Sequence, residues 1–254
     1  MKLATWNVNS IAIRLPQLLD WLAREQPDVV CLQETKIDDA NFPLLDLDAA
    51  GYRCTYSGQK SYNGVALLTR AQASDVVYGI QGYEDEQKRV LSASVNGVRI
   101  ICMYVPNGER VDSDKYRYKL AWLDAFQRWL SRELKTYPRL AMLGDFNIAP
   151  EERDVHDPRL WEGRVLFSKP ERAAFQAFLN TGMKDSFRLF DQPSGSYSWW
   201  GYRMGAFRRN LGLRIDHILL SDELARDATG ARIAKALRGL ERPSDHAPVI
   251  TELK

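Results

Sequence analysis

Leu-Gly-Asp-Phe-Asn-Ile-Ala-Pro, residues 143–150, follows an apolar run and decides the fold. The pattern predicts a buried strand that breaks at Gly144 and is followed at once by polar residues. Alternation along an extended chain places Asp145 and Asn147 on one side and Phe146 on the other. Open α/β sheets bind ligands at such strand ends, so this stretch predicts an α/β fold with a site here. Taken alone, the stretch is equally typical of a polar turn without function.

The bulk composition describes one globular unit. The 254 residues are 45% hydrophobic and 27% charged, which is ordinary for a globular protein and sufficient for a substantial core. No linker or low-complexity segment divides the chain, so one domain over residues 1–254 is predicted. No apolar run reaches membrane-spanning length, and the N-terminus has no apolar signal core. We therefore expect no membrane contact and a cytoplasmic location, with a monomer as the default.

The cysteines and histidines restrict which metal the chain can bind. There are three cysteines without a CxxC pair, and Cys31 and Cys102 lie in apolar runs, so buried free thiols are predicted. The three histidines are too dispersed for a His-rich zinc site. Oxygen ligands must then dominate, which favours Mg²⁺, with Mn²⁺ as a substitute.

Helix and strand signals alternate along the chain. Leucines spaced i, i+3, i+4 and i+7 predict a helix over Leu15–Glu25. A longer helix is predicted over Ser113–Leu134, and the capping-box residues Ser168 and Glu171 predict another over Glu171–Asn180. Strands are predicted over Lys2–Asn7, Asp28–Gln33, Arg53–Ser57, Val65–Thr69, Val90–Val95, Val98–Tyr104, Leu140–Leu143, Leu213–Leu220 and Pro248–Leu253.

A faint internal repeat suggests how these elements are arranged. Thr5–Asn9, after the first strand, resembles Asp145–Ala149, after the middle one. Each segment is followed by helical and strand-like stretches. The repeat predicts two β-rich halves, each with its own sheet, packed face to face with helices outside.

Strand ends and loops carry polar side chains suited to phosphodiester hydrolysis. That reaction needs a hard metal on carboxylates such as Glu34, a general base for water, and donors for the phosphoryl oxygens. Asn147, Tyr104 and a protonated His246 are suitable donors. A carboxylate behind a histidine fixes its tautomer and stabilises its cation. The full set is Asn7 with Asn9, Glu34, Tyr104 with Asn107, Asp145 with Asn147, Asp216, and Asp245 with His246.

Each of these residues also has an interpretation without function. Taken alone, Glu34 is more often a surface carboxylate, and Tyr104 is more often a half-buried aromatic side chain. Asp216 could form a surface ion pair with Arg214, and His246 could cap the final strand. The presence of all of these residue types at strand ends favours the functional interpretation.

Six motifs together resemble the exonuclease III family of Mg²⁺-dependent DNA repair nucleases, within the endonuclease/exonuclease/phosphatase superfamily. They are WNVNS (residues 6–10), LQETK (32–36), YNGVA (62–66), GDFNIAP (144–150), GLRIDHIL (212–219) and PSDHAPV (243–249). The resemblance implies a DNase I-like four-layer α/β sandwich, with two facing mixed sheets flanked by helices. It also implies action on duplex DNA with abasic sites, nicks or blocked 3′ ends. The implied reactions are 3′→5′ exonuclease action, removal of 3′-blocking groups and incision 5′ to abasic sites.

The same resemblance implies a role for each residue. Metal ligation falls to Asn7, Glu34, Asp145, Asn147 and Asp245, with Glu34 as the main ligand. The catalytic set is Tyr104, Asp145, Asn147, Asp216 and His246. Asp145 would orient or deprotonate the attacking water, although His246 competes with it for the role of base. His246 would contact the scissile phosphate, with Asp245 behind or beside it. Asp216 would line the site and could protonate the leaving group.

The loop Tyr197–Arg209 is rich in aromatic and arginine residues, which is also typical of a partly buried loop. In the family it implies a wedge that enters the minor groove, with Trp199 against the deoxyribose or an unstacked step. DNA contacts are implied for Asn107, Trp199, Arg203, Arg208 and Arg209, of which the three arginines would hold phosphates.

One departure from the family concerns the substrate. The stretch Arg164–Ser168 is bulky, whereas relatives that accept abasic sites often carry a small residue near here. Leu166 and Phe167 would narrow the abasic pocket, which favours 3′-end trimming over abasic-site incision. Two other functions remain open: a non-catalytic descendant that binds RNA or a protein, and a related hydrolase of lipid phosphates or of a different nucleic acid. The complete acidic set opposes the first and the aromatic–arginine loop the second.

Overall fold

The computed structural model describes residues 1–254 and contains twelve strands and six α-helices. The strands are β1 (Lys2–Asn7), β2 (Val29–Gln33), β3 (Arg53–Ser57), β4 (Val65–Thr69), β5 (Ser74–Tyr78), β6 (Val90–Val95), β7 (Val98–Tyr104), β8 (Leu140–Asp145), β9 (Met183–Asp185), β10 (Asp216–Ser221), β11 (Ala228–Ile233) and β12 (Val249–Leu253). The helices are α1 (Ile11–Glu25), α2 (Leu44–Ala49), α3 (Asp114–Thr136), α4 (Pro158–Trp161), α5 (Lys169–Asn180) and α6 (Asp222–Ala225). None of these helices has the length and apolar composition needed to cross a membrane.

The strands form two six-stranded mixed sheets. The first has the order β11-β12-β1-β2-β4-β3 and the second β5-β6-β7-β8-β10-β9. In each sheet one central pair is parallel, β1 with β2 and β7 with β8, and the other pairs are antiparallel. The prediction that each half of the chain keeps its own sheet is wrong. β12 returns from the C-terminal half to pair with β1, with Leu3 opposite Thr251.

Three apolar clusters produce four layers. Residues of both sheets, such as Leu3 and Leu143, form the cluster between the sheets. On the outer face of the first sheet, Trp6 packs with Trp21 of α1. On the outer face of the second, Phe126 of α3 lies in a cluster that also includes residues of α5. The predicted four-layer α/β sandwich is therefore confirmed.

Most predicted elements are present, with shifted ends. α1 begins at Ile11 rather than Leu15, and α3 is capped by Ser113, whose Oγ accepts from the Tyr116 amide at 3.1 Å. The capping box that precedes α5 is present. The prediction missed β5, β9 and β11. β5 and β11 are edge strands in which no residue is buried, so they lack the apolar alternation that marks a strand.

Gly144 does not break the strand as predicted. β8 continues through it to Asp145. A Cβ at position 144 would lie 1.8 Å from the carbonyl oxygen of Met103 on β7, so glycine permits a close approach of two backbones. The chain leaves the extended conformation at Asn147, whose φ is 48°. Phe146 packs outward against Phe175, while Asp145 faces the site, as the alternation predicted.

The cysteines agree with their predicted state. All three are free; Cys31 and Cys102 are buried between the two sheets and Cys54 is half-buried. Burial raises the pKa of the Cys54 thiol to about 12, with a further contribution from the Asp48 carboxylate. The thiols therefore act as apolar side chains in this fold.

Candidate active site

Five polar residues stand where the central strands of the two sheets end. They are Asn7 at the end of β1, Glu34 directly after β2, Tyr104 at the end of β7, Asp145 at the end of β8 and Asp216 at the start of β10. β8 lies between β7 and β10, so Asp145 is opposite both Tyr104 and Asp216. Asn7 reaches across from the other sheet and donates from Nδ2 to Asp145 Oδ2 at 2.9 Å and Glu34 Oε1 at 2.7 Å. The predicted polar residues of both sheets therefore meet at one edge.

The Glu34 carboxylate is held in its ionised form. Burial raises its pKa, but the Lys36 ammonium, 2.8 Å from Oε2, and the hydrogen bond from Asn7 outweigh that effect. The pKa of Glu34 therefore lies below its usual value. Lys36 was not predicted as a site residue, although it belongs to the motif LQETK.

His246 is buried among carboxylates and is cationic at neutral pH. Its Nδ1 donates to the Asp216 oxygens at 2.9 and 3.1 Å, and its Nε2 lies 3.9 Å from Asp145 Oδ2. Burial opposes the cation, but Asp216 and Asp145 together raise the pKa of His246 to about 10. Burial also raises the pKa of Asp145, an effect that the His246 cation partly offsets. The pair thus combines a fixed proton donor with an unusually basic carboxylate.

The carboxylate behind the His246 ring is Asp216, whereas the resemblance implied Asp245 behind or beside it. Asp216 also accepts from Ser198 Oγ at 2.6 Å, which holds it in place. Asp245 instead accepts from Asn9 Nδ2 at 2.8 Å and from Trp199 Nε1 at 3.0 Å. Asp245 therefore connects the loop after β1, which contains Asn9, to the aromatic–arginine loop.

The alternative in which Asp216 forms a surface ion pair with Arg214 is wrong. Arg214 is buried and pairs with Asp154 at 2.7 Å and Asp185 at 2.7 Å. Its Nη1 also donates to Nδ1 of the buried His217 at 3.0 Å. Arg214 therefore belongs to an ionic cluster beneath the site, which leaves Asp216 free to hold His246.

Asn147 is fixed by hydrogen bonds on all sides. Its backbone amide donates to Asp145 Oδ1 at 2.8 Å, and its Nδ2 donates to the Val105 carbonyl at 3.0 Å. Its Oδ1 accepts from Asn107 Nδ2 at 3.0 Å. Asparagine tolerates the left-handed conformation that this turn requires better than most residues. The two predicted amides, Asn107 and Asn147, therefore lie side by side.

Tyr104 keeps its hydroxyl proton. Burial, followed by the Glu34 and Asp145 carboxylates, raises its pKa well above the usual value. The Arg89 guanidinium lies over its ring at 4.6 Å. Beside Tyr104 opens a cavity of about 730 Å³, whose lining includes Tyr62, Arg89, Asn107 and Lys115. The hydroxyl can therefore donate a hydrogen bond to a ligand in this space.

The aromatic–arginine loop forms the rim of the site. Trp199 is half-buried, whereas Tyr202 is 54% exposed and Met204 is 80% exposed. The three predicted arginines, Arg203, Arg208 and Arg209, are exposed. The exposed apolar tip, Tyr202 and Met204, was not predicted, although Tyr202 lies within the aromatic run that drew attention to the loop.

Tyr202 fastens the rim to the rest of the site. Its hydroxyl accepts from Arg14 Nη2 at 2.9 Å and from Asn9 Nδ2 at 3.3 Å, and donates to the Pro243 carbonyl at 3.0 Å. Arg14 also donates to the Asn9 carbonyl at 2.8 Å. Helix α1, the first loop and the rim are thus connected by one arginine and one tyrosine.

Leu166 and Phe167 are buried beside Trp199 in one small apolar cluster. Leu166 has a φ of 75°, a conformation that is costly for a residue with a bulky side chain. The structure therefore brings these two predicted residues together with the predicted wedge residue. They form an apolar wall next to the rim.

The donor set suits a hard divalent cation. Ligand atoms of Glu34, Asp145 and His246 lie within 4.8 Å of one another. A protonated His246 has no lone pair to offer, so the two carboxylates are the residues that would hold the metal. The Asn7 Oδ1 accepts from the Asn9 amide at 3.0 Å, so the Asn7 side chain presents its amide nitrogen, which is not a metal ligand, to the Glu34 and Asp145 carboxylates. Asp245 lies outside this group of ligand atoms.

Two facing mixed sheets, paired carboxylates and a carboxylate-held histidine at their edge define a metal-dependent phosphoesterase of the sandwich type. The family model described as "Endonuclease/Exonuclease/phosphatase family" matches residues 4–246. The chain belongs to this family.

Relatives with known names agree in length and fold. Exodeoxyribonuclease III of Haemophilus influenzae is 35% identical over 267 residues, with all of both chains covered. A 3′ phosphatase from Neisseria, solved with a product DNA hairpin, is 44% identical with a TM-score of 0.98, over 100% of this chain and 99% of that one. An AP endonuclease from Archaeoglobus fulgidus is 35% identical with a TM-score of 0.96, over the same shares of the two chains. The family resemblance inferred from the motifs is confirmed.

Proposed function

We propose that this protein is a metal-dependent DNA repair nuclease that hydrolyses phosphate esters at the 3′ ends of duplex DNA. The observation that carries the proposal is the facing pair of Asp145 and His246, 3.9 Å apart, with Glu34 in the same group of ligand atoms. The names of the relatives, an exodeoxyribonuclease III and a 3′ phosphatase bound to DNA, support the same substrate class.

Asp145 is the general base in this proposal. Burial raises its pKa, which makes it a better proton acceptor than an exposed aspartate at neutral pH. His246 cannot take this role while it holds both protons. It instead contacts a phosphoryl oxygen, where its positive charge stabilises the charge that develops in the transition state. The proposal thus gives the role of base to Asp145 rather than to His246, the two residues between which the sequence did not choose.

The remaining polar residues hold the scissile phosphate. The Tyr104 hydroxyl donates to the phosphate in this proposal. Asn147 donates from Nδ2 in place of its contact with Asp145 Oδ2 at 3.2 Å, while its bonds to Asn107 and the Val105 carbonyl hold it in position. In this proposal Asp216 keeps His246 charged, and its oxygens are already engaged by His246 and Ser198, so protonation of the leaving group is not assigned to it. A divalent cation, which we propose to be Mg²⁺ with Mn²⁺ as a substitute, would be held by Glu34 and Asp145 and supply Lewis-acid stabilisation of the phosphoryl oxygens.

The rim accounts for recognition of duplex DNA. Exposed Arg203, Arg208 and Arg209 would bind phosphates without reading sequence. Trp199 would contact a deoxyribose, while the exposed side chains of Tyr202 and Met204 are well placed to enter the minor groove. Asn107, exposed beside Asn147, would also contact the DNA backbone.

Leu166 sets the proposed order of substrates. Its buried side chain, next to Phe167 and Trp199, narrows the space that an extruded abasic sugar would need. Removal of a 3′-phosphate should therefore be faster than incision at an internal abasic site. In the variant Leu166→Gly, glycine fits the positive φ and leaves space, so abasic-site incision should rise about tenfold relative to 3′-phosphate removal.

A gel assay tests both parts of the proposal. Nicked duplex with a 3′-phosphate and duplex with an internal abasic site are incubated with Mg²⁺ and then with EDTA. We expect rapid 3′-phosphate removal, slower incision and no activity with EDTA. Equal rates on the two substrates would overturn the order assigned to Leu166. Binding without cleavage, with either Mg²⁺ or Mn²⁺, would instead favour the non-catalytic RNA- or protein-binding alternative.

Several finer points belong to the same proposal. Ligand roles for Asn7, Asn147 and Asp245 stay predictions, as do a single domain over residues 1–254, a monomeric state and a cytoplasmic location. The free thiols support a reducing compartment. Metal titration of the variant Asp245→Asn, followed by calorimetry, would show whether this carboxylate contributes to cation affinity.

A further inference from the structure

Lys119 of α3 and Glu171 of α5 form an ion pair deep inside the protein. Both side chains are 0% exposed. Burial lowers the pKa of Lys119, and the Glu171 carboxylate opposes that effect. A charge of this kind is tolerated in an apolar interior only when it is paired and fully hydrogen-bonded. The other partners of these two groups therefore have structural importance.

The Lys119 ammonium binds two loops of the active site. Its Nζ donates to the Asn147 carbonyl at 2.7 Å and to the Asn107 carbonyl at 3.1 Å. With Glu171 as the third acceptor, all three N–H groups of the ammonium are used. The side chains of Asn107 and Asn147 also hydrogen-bond to each other. One buried cation thus fixes the backbone beneath both phosphate-binding amides.

Glu171 binds the segment that forms the apolar wall. Its Oε1 accepts from the Leu166 amide at 3.0 Å, and its Oε2 accepts from the Ser168 amide at 3.0 Å and from the Ser168 hydroxyl. These bonds hold Leu166 in its positive-φ conformation. The Leu166 carbonyl in turn accepts from the Ala149 amide at 2.8 Å, two residues beyond Asn147. The apolar wall at Leu166 is therefore connected to residues 147–149 in two ways: through the Lys119–Glu171 pair and through the direct bond from Ala149.

We propose that Lys119 and Glu171 are positioning residues that hold the phosphate-binding amides, Asn107 and Asn147, at a fixed distance from the wall at Leu166. The pair thereby fixes both the position of Leu166, which limits the space for the substrate, and the positions of the amides that contact the scissile phosphate. The role rests on the proposed nuclease function, and neither residue touches the substrate. A purely stabilising buried pair would need no contact with catalytic loops, because apolar residues of similar volume stabilise an interior at least as well.

The test compares two buried ion pairs of the same helix. In the double variant Lys119→Met/Glu171→Gln the pair is neutral, so no uncompensated charge is buried. The matched control is Arg99→Met/Glu133→Gln, which neutralises the buried pair that joins α3 to β7 away from the site. Rates of 3′-phosphate removal are measured per active site, well below each Tm. Hydrogen–deuterium exchange is measured over residues 147–149 and 166–168.

We expect kcat of the Lys119→Met/Glu171→Gln variant to fall about 100-fold, because small displacements of positioned groups are costly to the chemical step. KM for the duplex should change little, since the rim is intact, and exchange should rise in both segments. The control should lower Tm while leaving kcat and exchange in these segments unchanged. If the double variant does not fold, Glu171→Asp, which keeps the Lys119 charge paired but shortens the side chain, should lower kcat about tenfold.

Two results would overturn the inference. One is a kcat for the Lys119→Met/Glu171→Gln variant equal to that of the active wild type. The other is unchanged exchange over residues 147–149 and 166–168. Wild-type protein that is inactive on DNA with Mg²⁺ and Mn²⁺ would overturn the proposed function instead. In that event the exchange comparison alone decides whether the pair fixes the two segments.

Discussion

The floor of the site around Asp145 and the rim formed by Tyr197–Arg209 differ in how their polar groups are used. On the floor, both Asp145 oxygens already accept hydrogen bonds from Asn7 and Asn147. On the rim, Arg203 and its neighbouring arginines are directed to solvent. Groups fixed before the substrate arrives need no reorganisation during the reaction, whereas exposed cations suit an extended, variable polyanion. The difference predicts that floor variants alter turnover and rim variants alter binding.

The largest expected effect comes from the floor. Asp145→Asn keeps the shape of the side chain but removes the base, so kcat should fall about 1,000-fold or more. DNA affinity, measured by fluorescence anisotropy with EDTA present, should stay close to the wild-type value. Normal turnover of this variant would exclude Asp145 as the base and would contradict the expectation that floor variants alter turnover.

The second prediction concerns the pH dependence of the floor. Asp216 is the main source of the attraction that raises the pKa of His246 to about 10. In Asp216→Asn that pKa falls, so the histidine loses its proton at a lower pH. The alkaline limb of kcat/KM should move to lower pH, with a loss of about 100-fold near pH 9 and a smaller loss near pH 6. A uniform loss at all pH values would instead indicate a change of geometry.

The rim should produce a smaller effect of a different kind. In the triple variant Arg203→Ala/Arg208→Ala/Arg209→Ala, KM should rise about tenfold while kcat at saturating DNA is retained. The slope of log Kd against log salt concentration should decrease by about 1 for each arginine that contacts a phosphate. A fall in kcat with an unchanged salt slope would show that floor and rim are not separable.

The smallest effect on activity is expected beneath the floor, at His217. Burial, then the charge of Arg214, lowers its pKa to about 4, so the folded protein holds it neutral while the unfolded chain protonates it near pH 6.5. Its contribution to stability is therefore complete above pH 6.5 and is lost as the pH falls towards 4, by at most roughly 3 kcal/mol. The free energies of unfolding of the wild type and His217→Gln are measured in urea, and the difference between them should change between pH 6.5 and pH 4. A difference in free energy of unfolding that is constant from pH 7 to 4 would contradict the lowered pKa of His217.

Much of the site could be predicted because its residues stand at strand ends. Apolar alternation located β1, β2, β7 and β8, and the polar residue that follows or ends each strand then falls at one edge of the sandwich. Asn7, Glu34, Tyr104 and Asp145 were found in this way. The family motifs implied that two sheets pack face to face, an arrangement that hydrophobic periodicity alone does not determine.

The features that were missed depend on contacts between distant segments. Asp216 and Asp245 were both predicted as site residues, but their sequence surroundings are similar, and only the packing of β10 shows which carboxylate lies behind His246. Lys119 falls on a helix with many charged residues, where a lysine normally indicates a solvated face. Its burial follows from the meeting of α3 and α5, which no local pattern records. The same is true of Arg14 and Tyr202, which are 188 residues apart.

The antiparallel pairing of β1 with β12 has a consequence for the synthesis of this protein. Trp6 Nε1 donates to the carbonyl of His246 at 3.1 Å, so residues 240 positions apart in the chain form one site. A nascent chain that lacks the His246 loop and β12 leaves one edge of the central strand β1 unpaired and has no His246 beside Asp145. A chain that ends before residue 246 therefore lacks part of the candidate active site, although it contains Glu34 and Asp145.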